Sequence, residues 1–399
     1  MTPSAQVIAP AVVTSPKLSI CLVAHSAFAT LTGASDGHIG GVEKQVSLMA
    51  RWMANRGHLV SLITWDEGQP DGVEIGGVRV FKVCRRADGI PGLRFVHPRW
   101  TSLNRALSRA DADIYYQNCA EYVTGQVALW CRRRGRPFIF SAASDRDCIG
   151  TLPELRTVRE RVLYRYGLRQ AAELIVQTRT QQRNVRESFG RASLIIPMPC
   201  PGPGEDCFIP PQPAPPTAPH ILWVGRVSKE KRPDRLLDLA EACPDLSFDL
   251  VGTVYPDAYG RVILERARNI SNLTIHGAKT SEELAVFYRH AACLCCTSEI
   301  EGFPNTFLEA WSHGLPVVTT FDPDQLIAQH GLGAVASDVN GLVDAIRALL
   351  VTPDRWQTAS TRARRYYLEN HTVDLVMPRF EQAFLGVIGQ RPEIRETGR

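Results

Sequence analysis

The sequence predicts an α/β protein of two Rossmann-like domains, each with a doubly wound parallel sheet, that face one another across a cleft. Three observations predict this fold. Short β-branched runs alternate with helical patterns in both halves, a proline-rich segment interrupts that alternation once, and 399 residues exceed the size of one ordinary core. Because ligands bind at the carboxyl ends of the strands in such sheets, both domains can contribute to one site in the cleft.

The first half carries six strand-like runs separated by helical patterns. The first long helix is predicted from Val42, Val46 and Met49, which recur at helical spacing, and Gly57 ends it. Before this helix, residues 27–39 form a long stretch of small residues that we expect to be a loop able to close over a substrate. The predicted strands are 18–24, 59–64, 78–83, 112–117, 137–142 and 173–178.

A proline-rich segment marks the boundary between the halves. Residues 197–219 contain ten prolines and can form neither a helix nor a central strand. The alternation then resumes, with strands at 221–224, 247–251, 273–276, 292–297 and 316–320 and helices at 233–242, 304–313, 341–350, 355–368 and 373–387. The predicted organisation is a flexible tail (1–16), an N-terminal domain (17–198), a linker (199–219), a C-terminal domain (220–372), a last helix (373–390) and a second tail (391–399).

Composition limits the class of protein. With 44% hydrophobic and 22% charged residues, the chain resembles a globular protein, and no apolar run reaches the ~20 residues that span a bilayer. The first fifteen residues hold no Lys or Arg, so they do not predict a signal peptide. The eleven cysteines and ten histidines lack zinc-site spacing. We therefore expect a cytoplasmic protein with reduced cysteines and no structural metal ion.

The strongest motif joins predicted strand 292–297 to helix 304–313 and consists of Glu301, Gly302, Phe303, Pro304, Asn305 and Thr306. Free backbone N–H groups at such a helix start favour a phosphate or a sugar hydroxyl. Glu309 lies roughly 7–8 Å further along the helix axis, so it and Glu301 cannot act on one atom. Glu301 can accept from a transferred sugar and Glu309 from a vicinal diol, such as a nucleotide ribose. Taken alone, both could equally be exposed charges.

A second motif follows the first strand of the second half. Gly225 makes a turn there and presents Arg226 and Lys231 just before a helix. The forked donors of an arginine and the compact charge of a lysine together suit a diphosphate. Breaking a sugar–phosphate bond leaves a diphosphate with growing negative charge, and cations beside it lower the barrier and can replace Mg²⁺. The alternative interpretation is a solubilising start of a helix.

A third motif is the pair Gly40 and Gly41, which opens the first long helix. Glycines let backbone N–H groups approach a ligand closely, and the start of the helix favours an anion. The pair is not a Walker A loop, because no Gly-Lys-Ser/Thr follows it. By itself it is equally consistent with an ordinary helix start.

In this order and at these distances, the three motifs resemble those of the family 4 retaining glycosyltransferases of GT-B fold. The resemblance covers nearly the whole chain and is sharpest from 221 to 320. It rests on Gly225-Arg226 followed by Lys231, on His276-Gly277, on Glu301 and Glu309 with seven residues between them, and on Gly314-Leu315-Pro316.

The resemblance implies transfer from a nucleotide-diphosphate sugar with retention of the anomeric configuration, without a metal ion or other cofactor. It implies that Arg226 and Lys231 hold the donor diphosphate. Glu301 would lie beside the transferred sugar, and Glu309 would bind the ribose. The glycine pair and the amides of residues 303–306 would then meet sugar or phosphate. The last helix would cross back onto the first domain.

One position departs from the family pattern. Many relatives carry a histidine after the strand at 137–142, whereas this chain has Ser144 followed by Asp145. Either Asp145 contacts the acceptor or sugar in its place, or no side-chain base is used. An aspartate that caps the next helix is an equal alternative. The donor base (UDP, GDP or ADP), the sugar and the acceptor, whether a glycan, a lipid-linked or a small molecule, are not determined by the sequence.

The distribution of charge suggests a further partner. Residues 85–191 hold 20 Lys and Arg against 10 Asp and Glu, so this stretch carries about +10 while the whole chain carries +4. A solvated helical face explains this excess, and so does an anionic membrane surface or a diphosphate-linked acceptor. We therefore expect a protein that is cytoplasmic or peripheral on the inner face of the membrane. A nucleic acid partner is not expected, because no aromatic-interleaved motif accompanies the arginines.

Two other classes of function stay open. One is a different enzyme on the same architecture, either a phosphorylase or a nucleotide-sugar epimerase. The other is a sugar- or membrane-binding scaffold without activity, which the missing histidine favours. The presence of Arg226, Lys231, Glu301 and Glu309 together counts against an epimerase and against an inactive scaffold. A phosphorylase differs in its product, because it would form a sugar phosphate from a glycoside and phosphate.

Overall fold

The computed structural model describes residues 16–33, 40–210 and 219–390, which form two β-sheets flanked by helices. The first sheet contains β1 (Ser19–Val23), β2 (Leu59–Thr64), β3 (Val73–Ile75), β4 (Val78–Lys82), β5 (Ile114–Asn118), β6 (Phe138–Ser141), β7 (Glu173–Val176) and β8 (Leu194–Ile195). The second contains β9 (His220–Val224), β10 (Ser247–Val251), β11 (Leu273–Gly277), β12 (Cys293–Cys296), β13 (Val317–Thr319) and β14 (Gly333–Val335).

The helices alternate with these strands. Those of the first half are α1 (Phe28–Thr32), α2 (Gly41–Asn55), α3 (Thr101–Ala110), α4 (Tyr122–Arg134), α5 (Val158–Gln170) and α6 (Arg179–Phe189). Those of the second half are α7 (Pro233–Ala242), α8 (Ala258–Ala267), α9 (Ser281–His290), α10 (Asn305–Ser312), α11 (Leu326–His330), α12 (Val339–Leu350), α13 (Pro353–Asn370) and α14 (Val373–Gly389). Within the described residues, no helix has both the length and the apolar composition needed to cross a membrane.

Both sheets reverse their strand order in the middle. The first sheet runs β3-β4-β2-β1-β5-β6-β7-β8, and its neighbours pair in parallel except for β3 with β4. The second runs β11-β10-β9-β12-β13-β14, all in parallel. The order reverses between β1 and β5 and between β9 and β12. Crevices at the carboxyl ends of such strands bind ligands in open α/β sheets, so these two places position a site.

Apolar helix faces cover both sides of each sheet, which is why the central strands are buried almost throughout. All five residues of β5 are buried, for example. The last helix, α14, packs on the first domain: Met377, Phe380 and Phe384 join the cluster that contains Ile20 and Leu62. The chain therefore returns to the first domain after it has completed the second sheet.

The observed architecture confirms the predicted two-domain GT-B fold, and every predicted strand lies within two residues of an observed one at each end. The strands β3, β8 and β14 are absent from the prediction. Each has only two or three residues and lies at the edge of its sheet, so it is too short to show a hydrophobic period. The predicted tails lie outside the described residues apart from Pro16, and so does part of the linker, 211–218.

Two local predictions are corrected. The prediction of a continuous loop over 27–39 is wrong, because residues 28–32 form α1, whose Leu31 is fully buried in the core cluster of the first domain. Residues 34–39 lie outside the described part of the chain, so closure over a substrate stays a prediction. The helix predicted from Pro304 begins at Asn305. Pro304 is the N-cap, with an extended backbone (φ −65°, ψ 122°).

Candidate active site

Two loops, at the carboxyl ends of β9 and β12, form one connected unit. In the turn after β9, Lys231 donates a hydrogen bond to the carboxylate of Glu301, and the two side chains are only 28% and 12% exposed. The backbones are joined as well: the amide of Glu299 donates to the Glu230 carbonyl (3.1 Å), and Thr297 Oγ1 donates to the Lys231 carbonyl (2.8 Å). The predicted cation and carboxylate are therefore direct neighbours.

Arg226 extends from the same strand end towards the first domain. Gly225 turns the chain there, and its amide donates to the Val251 carbonyl (3.0 Å). Arg226 lines a cavity of about 220 Å³ whose other wall includes Gly40 and Gly41. The structure thus brings the second and third motifs together across the cleft, at the switch points of both sheets.

The start of α10 is in contact with the first domain. The amide of Phe303, which the sequence predicts to be free for a ligand, is bonded to Gln177 Oε1 (3.1 Å). Asn305 Oδ1 accepts from Gln45 Nε2 (3.0 Å). A Cβ at Gly41 would lie 2.4 Å from Asn305 Nδ2, so a larger residue there would have to displace this side chain. The amides of Asn305 and Thr306 lie in the first turn, where the helix itself supplies no acceptor.

Glu309 lies further along α10 and joins the same interface. Its Oε1 accepts from Lys44 Nζ of α2 (3.0 Å), and its Oε2 accepts from Tyr288 OH of α9 (2.7 Å). The carboxylate is 20% exposed. Glu301 and Glu309 therefore have different partners, as the prediction of separate roles requires.

Gly302 brings the backbones of the two domains into direct contact. It forms an antiparallel bridge with Ser144, the residue that stands where many relatives have a histidine. A Cβ at Gly302 would lie 2.3 Å from the Ala143 carbonyl oxygen and 2.9 Å from Ser144 Cα. Because both neighbours are backbone atoms, a larger residue cannot be accommodated by moving a side chain.

Asp145 lies beside this bridge and does not line the cavity. Its Oδ1 accepts from Gln181 Nε2 (3.1 Å), and burial, with a further contribution from the charge of Asp324, raises the pKa of Asp145 to about 6. The alternative that Asp145 caps the next helical turn is wrong, because Ser144 is the cap and Asp147 completes the capping box.

Asp322 and Asp324 cap helices. Asp322 accepts from two amides at the start of α11 (2.9 and 3.1 Å). Asp324 accepts from the amides of Arg179 and Thr180, at the start of α6 in the first domain (2.6 and 3.0 Å). Asp324 therefore joins the two domains. Among the described residues, no group of three or more His, Cys, Asp and Glu is placed to hold a metal ion.

Several residues of this interface were not found by sequence reasoning. They are Lys44, Gln45, Gln177 and, in the cavity wall, His25, Asn118 and Glu121. Each is a single polar residue at a strand end or helix start, and only Lys44 and Gln45 lie close to a motif, the glycine pair at 40 and 41. Only the topology of the sheet brings them to one edge.

Both halves of the chain match known family models. Residues 40–201 match the Glycosyl transferase 4-like domain, and residues 218–352 match Glycosyl transferases group 1. The chain is also 29% identical over 320 residues to D-inositol 3-phosphate glycosyltransferase of Nocardiopsis dassonvillei. The matched region covers 71% of this chain and 74% of that protein.

Solved structures with the same fold include sucrose-phosphate synthase from Thermosynechococcus elongatus, with a TM-score of 0.78 and 20% identity over 93% of this chain and 99% of that one. WaaG, a glycosyltransferase involved in lipopolysaccharide biosynthesis, has a TM-score of 0.64 and 16% identity over 91% of this chain and 99% of that one. A glycosyltransferase from Rickettsia africae has a TM-score of 0.69 and 12% identity over 94% and 100%. At these identities the similarity shows the two-domain fold.

Proposed function

Because the chain belongs to the group 1 glycosyltransferases of GT-B fold, we propose that it transfers a sugar from a nucleotide-diphosphate sugar with retention of configuration and without a bound metal ion. One observation carries this proposal. The ion pair of Lys231 and Glu301 lies at one switch point, and Arg226 reaches from the same place towards Gly40 and Gly41 at the other. This arrangement supports a diphosphate held between the two domains.

In the proposed site, Arg226 and Lys231 bind the diphosphate and stabilise the negative charge that grows as it leaves. Glu301 lies beside the transferred sugar and orients Lys231, while Glu309 accepts from the ribose diol. The amides at the start of α10 add favourable potential for the phosphates. Two fixed cations supply the charge that a metal ion otherwise supplies, which is the reason to propose a metal-independent reaction.

The proposed step is a front-face displacement. The bond between the anomeric carbon and the diphosphate oxygen breaks, and a bond to the acceptor hydroxyl oxygen forms on the same face of the sugar. The hydroxyl proton moves to the leaving phosphate oxygen, so the products are a glycoside and a nucleoside diphosphate. This route needs no side-chain base and is compatible with serine at position 144.

Substrate screening and product analysis test the proposal. Thermal stabilisation by UDP, GDP and ADP first identifies the donor base, because a ligand that binds only the folded state raises its stability. We then expect nucleoside diphosphate release from the matching sugar donors, retained configuration at the anomeric carbon by NMR, and unchanged rates in EDTA. Formation of a sugar phosphate from a glycoside and phosphate would instead indicate a phosphorylase. Absence of binding by every nucleotide would indicate a scaffold.

We further propose that the first domain contacts an anionic membrane surface through one patch. Ile90, Leu93 and Val96 before α3 and Val158 and Val162 of α5 are 57–76% exposed. Arg159 lies over the Phe95 ring (3.7 Å to its centroid), which joins the two segments. Exposed apolar residues among exposed arginines suit a surface of anionic lipid headgroups.

Vesicle binding tests this patch. We expect binding to vesicles that contain phosphatidylglycerol, and the affinity should fall as salt increases. A Leu93→Ser, Val158→Ser variant should bind more weakly, whereas Val351→Ser, which changes an exposed valine in the second domain, should not. No binding at low salt would contradict the proposal.

A further inference from the structure

The cavity that Arg226 lines has a first-domain wall with polar groups that the proposed donor site does not use. This wall lies at the switch point of the first sheet, where the ends of β1 and β5 meet the start of α2. It includes His25, Asn118, Glu43 and Glu121. These four residues come from three separate elements and converge on one space.

Two of the four residues are carboxylates. A Cβ at Gly40 would lie 2.3 Å from Glu43 Oε2, so this carboxylate folds over the start of α2, where the helix favours an anion. The Glu121 side chain lines the cavity and is 44% exposed. Although part of the side chain is exposed, burial of the carboxylate raises the pKa of Glu121 to about 7; the charge of Glu43 adds to this rise and Arg86 opposes it.

The other two residues have buried polar atoms without partners. His25 Nε2 and Asn118 Oδ1 accept or donate no hydrogen bond within the described chain, although the His25 side chain and Asn118 are each only 8% exposed. The His25 ring packs against Trp65, with 4.3 Å between centroids and an angle of 32° between the ring planes. Burial, followed by the charge of Arg99, lowers the pKa of His25 to about 4, which keeps the imidazole neutral. Buried polar atoms normally have partners, so a water molecule or a ligand in the cavity has to supply them.

The charge of the wall limits the chemistry of that ligand. Of the described residues that line the cavity, Arg226 alone is an arginine or lysine, and the proposed function commits it to the donor diphosphate. A phosphate monoester carries about −1.5 to −2 charges at neutral pH. Above about pH 7, where Glu121 is ionised, the phosphate would face both Glu43 and Glu121 with no further cation among the described lining residues. Such like-charge contacts are costly in a partly desolvated site.

We propose that this wall is an acceptor subsite for an uncharged, hydroxyl-rich molecule, and that Glu43 and Glu121 exclude acceptors that carry a phosphate next to the reacting hydroxyl. The inference rests on the proposed function and adds the class of acceptor to it. Each carboxylate accepts from sugar or cyclitol hydroxyls, as charge-assisted bonds. The neutral His25 imidazole and the Asn118 oxygen complete the set, so a ring with several adjacent hydroxyls satisfies every group in the wall.

Matched pairs of acceptors test the inference. The probes are glucose, mannose, N-acetylglucosamine and myo-inositol, each compared with its monophosphate in the presence of the nucleoside diphosphate that stabilises the protein most. Calorimetry measures binding, and nucleotide release from the matching sugar donors measures transfer. We expect at least one uncharged probe to bind, and its phosphate to bind about tenfold more weakly or worse.

Isosteric variants locate the effect. In a Glu43→Gln, Glu121→Gln variant, the ratio of the affinities for the uncharged probe and for its monophosphate should shrink by about tenfold, because the carboxylates no longer repel the phosphate. Glu187→Gln removes an exposed charge of the same domain outside the cavity and should leave the preference unchanged.

Each outcome decides the inference. Tighter binding of the phosphorylated member, or no binding of any uncharged probe, overturns it, and so does a double variant that keeps the full preference. If no nucleoside diphosphate binds the wild-type protein, the proposed function itself fails. If a nucleoside diphosphate binds and the preference is reversed, only the acceptor assignment fails.

Discussion

The two walls of the cleft differ in chemistry and in how they are built. The second-domain wall presents Arg226 and the pair of Lys231 with Glu301, in loops whose backbones are bonded within that domain. The first-domain wall presents two carboxylates, the neutral His25 and the amide of Asn118. His25 and Asn118 each have a buried polar atom without a hydrogen-bond partner. The cationic wall is organised before any ligand arrives, whereas the acidic wall still lacks partners. We infer that the donor is held by a rigid local motif and that acceptor choice depends on the arrangement of the first sheet.

The largest expected effect comes from the cationic wall. Lys231→Ala removes the charge beside the leaving diphosphate and leaves Glu301 without its partner, so turnover should fall about 10²–10³-fold. Glu301→Ala should cause a loss of the same order. Lys229→Ala, two residues away and exposed, is the matched control. Steady-state rates check the prediction. Equal losses in Lys231→Ala and Lys229→Ala would contradict a special role for Lys231.

The next effect concerns the junction of the two walls. Gly302→Ala places a Cβ 2.3 Å from the Ala143 carbonyl oxygen, so the domains must separate locally. Because misplacement by about 1 Å can cost 10²-fold in rate, we expect kcat/KM to fall about 10–100-fold while each domain stays folded. Gly204→Ala, which meets no atom within 4 Å, should have little effect. Unchanged rates in Gly302→Ala would show that this contact does not set the cleft geometry.

The same contrast explains which parts of the site the sequence predicts. Gly225, Arg226 and Lys231 lie within seven residues, and Glu301 and Glu309 share one strand-to-helix connection, so local patterns indicate their chemistry. The fold is predictable for the same reason, because each central strand is a continuous apolar run. Glycosyltransferase membership follows from these motifs, and both family matches agree with it.

The first-domain wall is not predictable in this way. Glu121 and His25 are nearly one hundred residues apart in sequence, and each is an ordinary residue after a strand. Their proximity depends on the pairing of β1 with β5, which a single sequence does not specify. The bridge of Ser144 to Gly302 is likewise a property of the closed interface. A departure from the family pattern at Ser144 was visible in the sequence, but its structural role was not.

The burial of Asp145 should appear in the pH dependence of stability. The folded-state pKa of Asp145, about 6, lies above its usual value of 3.8, so folding favours the protonated form. This contribution is complete below about pH 4 and is lost as pH rises through about 6. Asp145→Asn stays neutral throughout. Its Tm relative to wild type should therefore rise by about a few degrees between pH 4 and pH 7, as scanning calorimetry can measure. A difference that does not change with pH would contradict the burial argument.

The smallest expected effect concerns the ion pair of Lys44 with Glu309, which connects the walls. The side chains are 36% and 20% exposed, and such pairs contribute about 0–1 kcal/mol. Lys44→Ala should therefore change the free energy of unfolding by less than about 1 kcal/mol. Lys279→Ala, which breaks the exposed pair with Glu283, is the comparison. A loss of several kcal/mol in Lys44→Ala alone would mean that this pair, and not the Gly302 contact, holds the cleft closed.

The most direct test of the central claim is the affinity for the diphosphate group itself. Calorimetry should compare the preferred nucleoside diphosphate with its nucleoside, in wild type and in an Arg226→Ala, Lys231→Ala variant. We predict that wild type binds the nucleoside diphosphate far more tightly than the nucleoside. In the variant this difference should disappear while the affinity for the nucleoside is unchanged. Undiminished diphosphate affinity in the variant would contradict the claim that these two cations hold the leaving group.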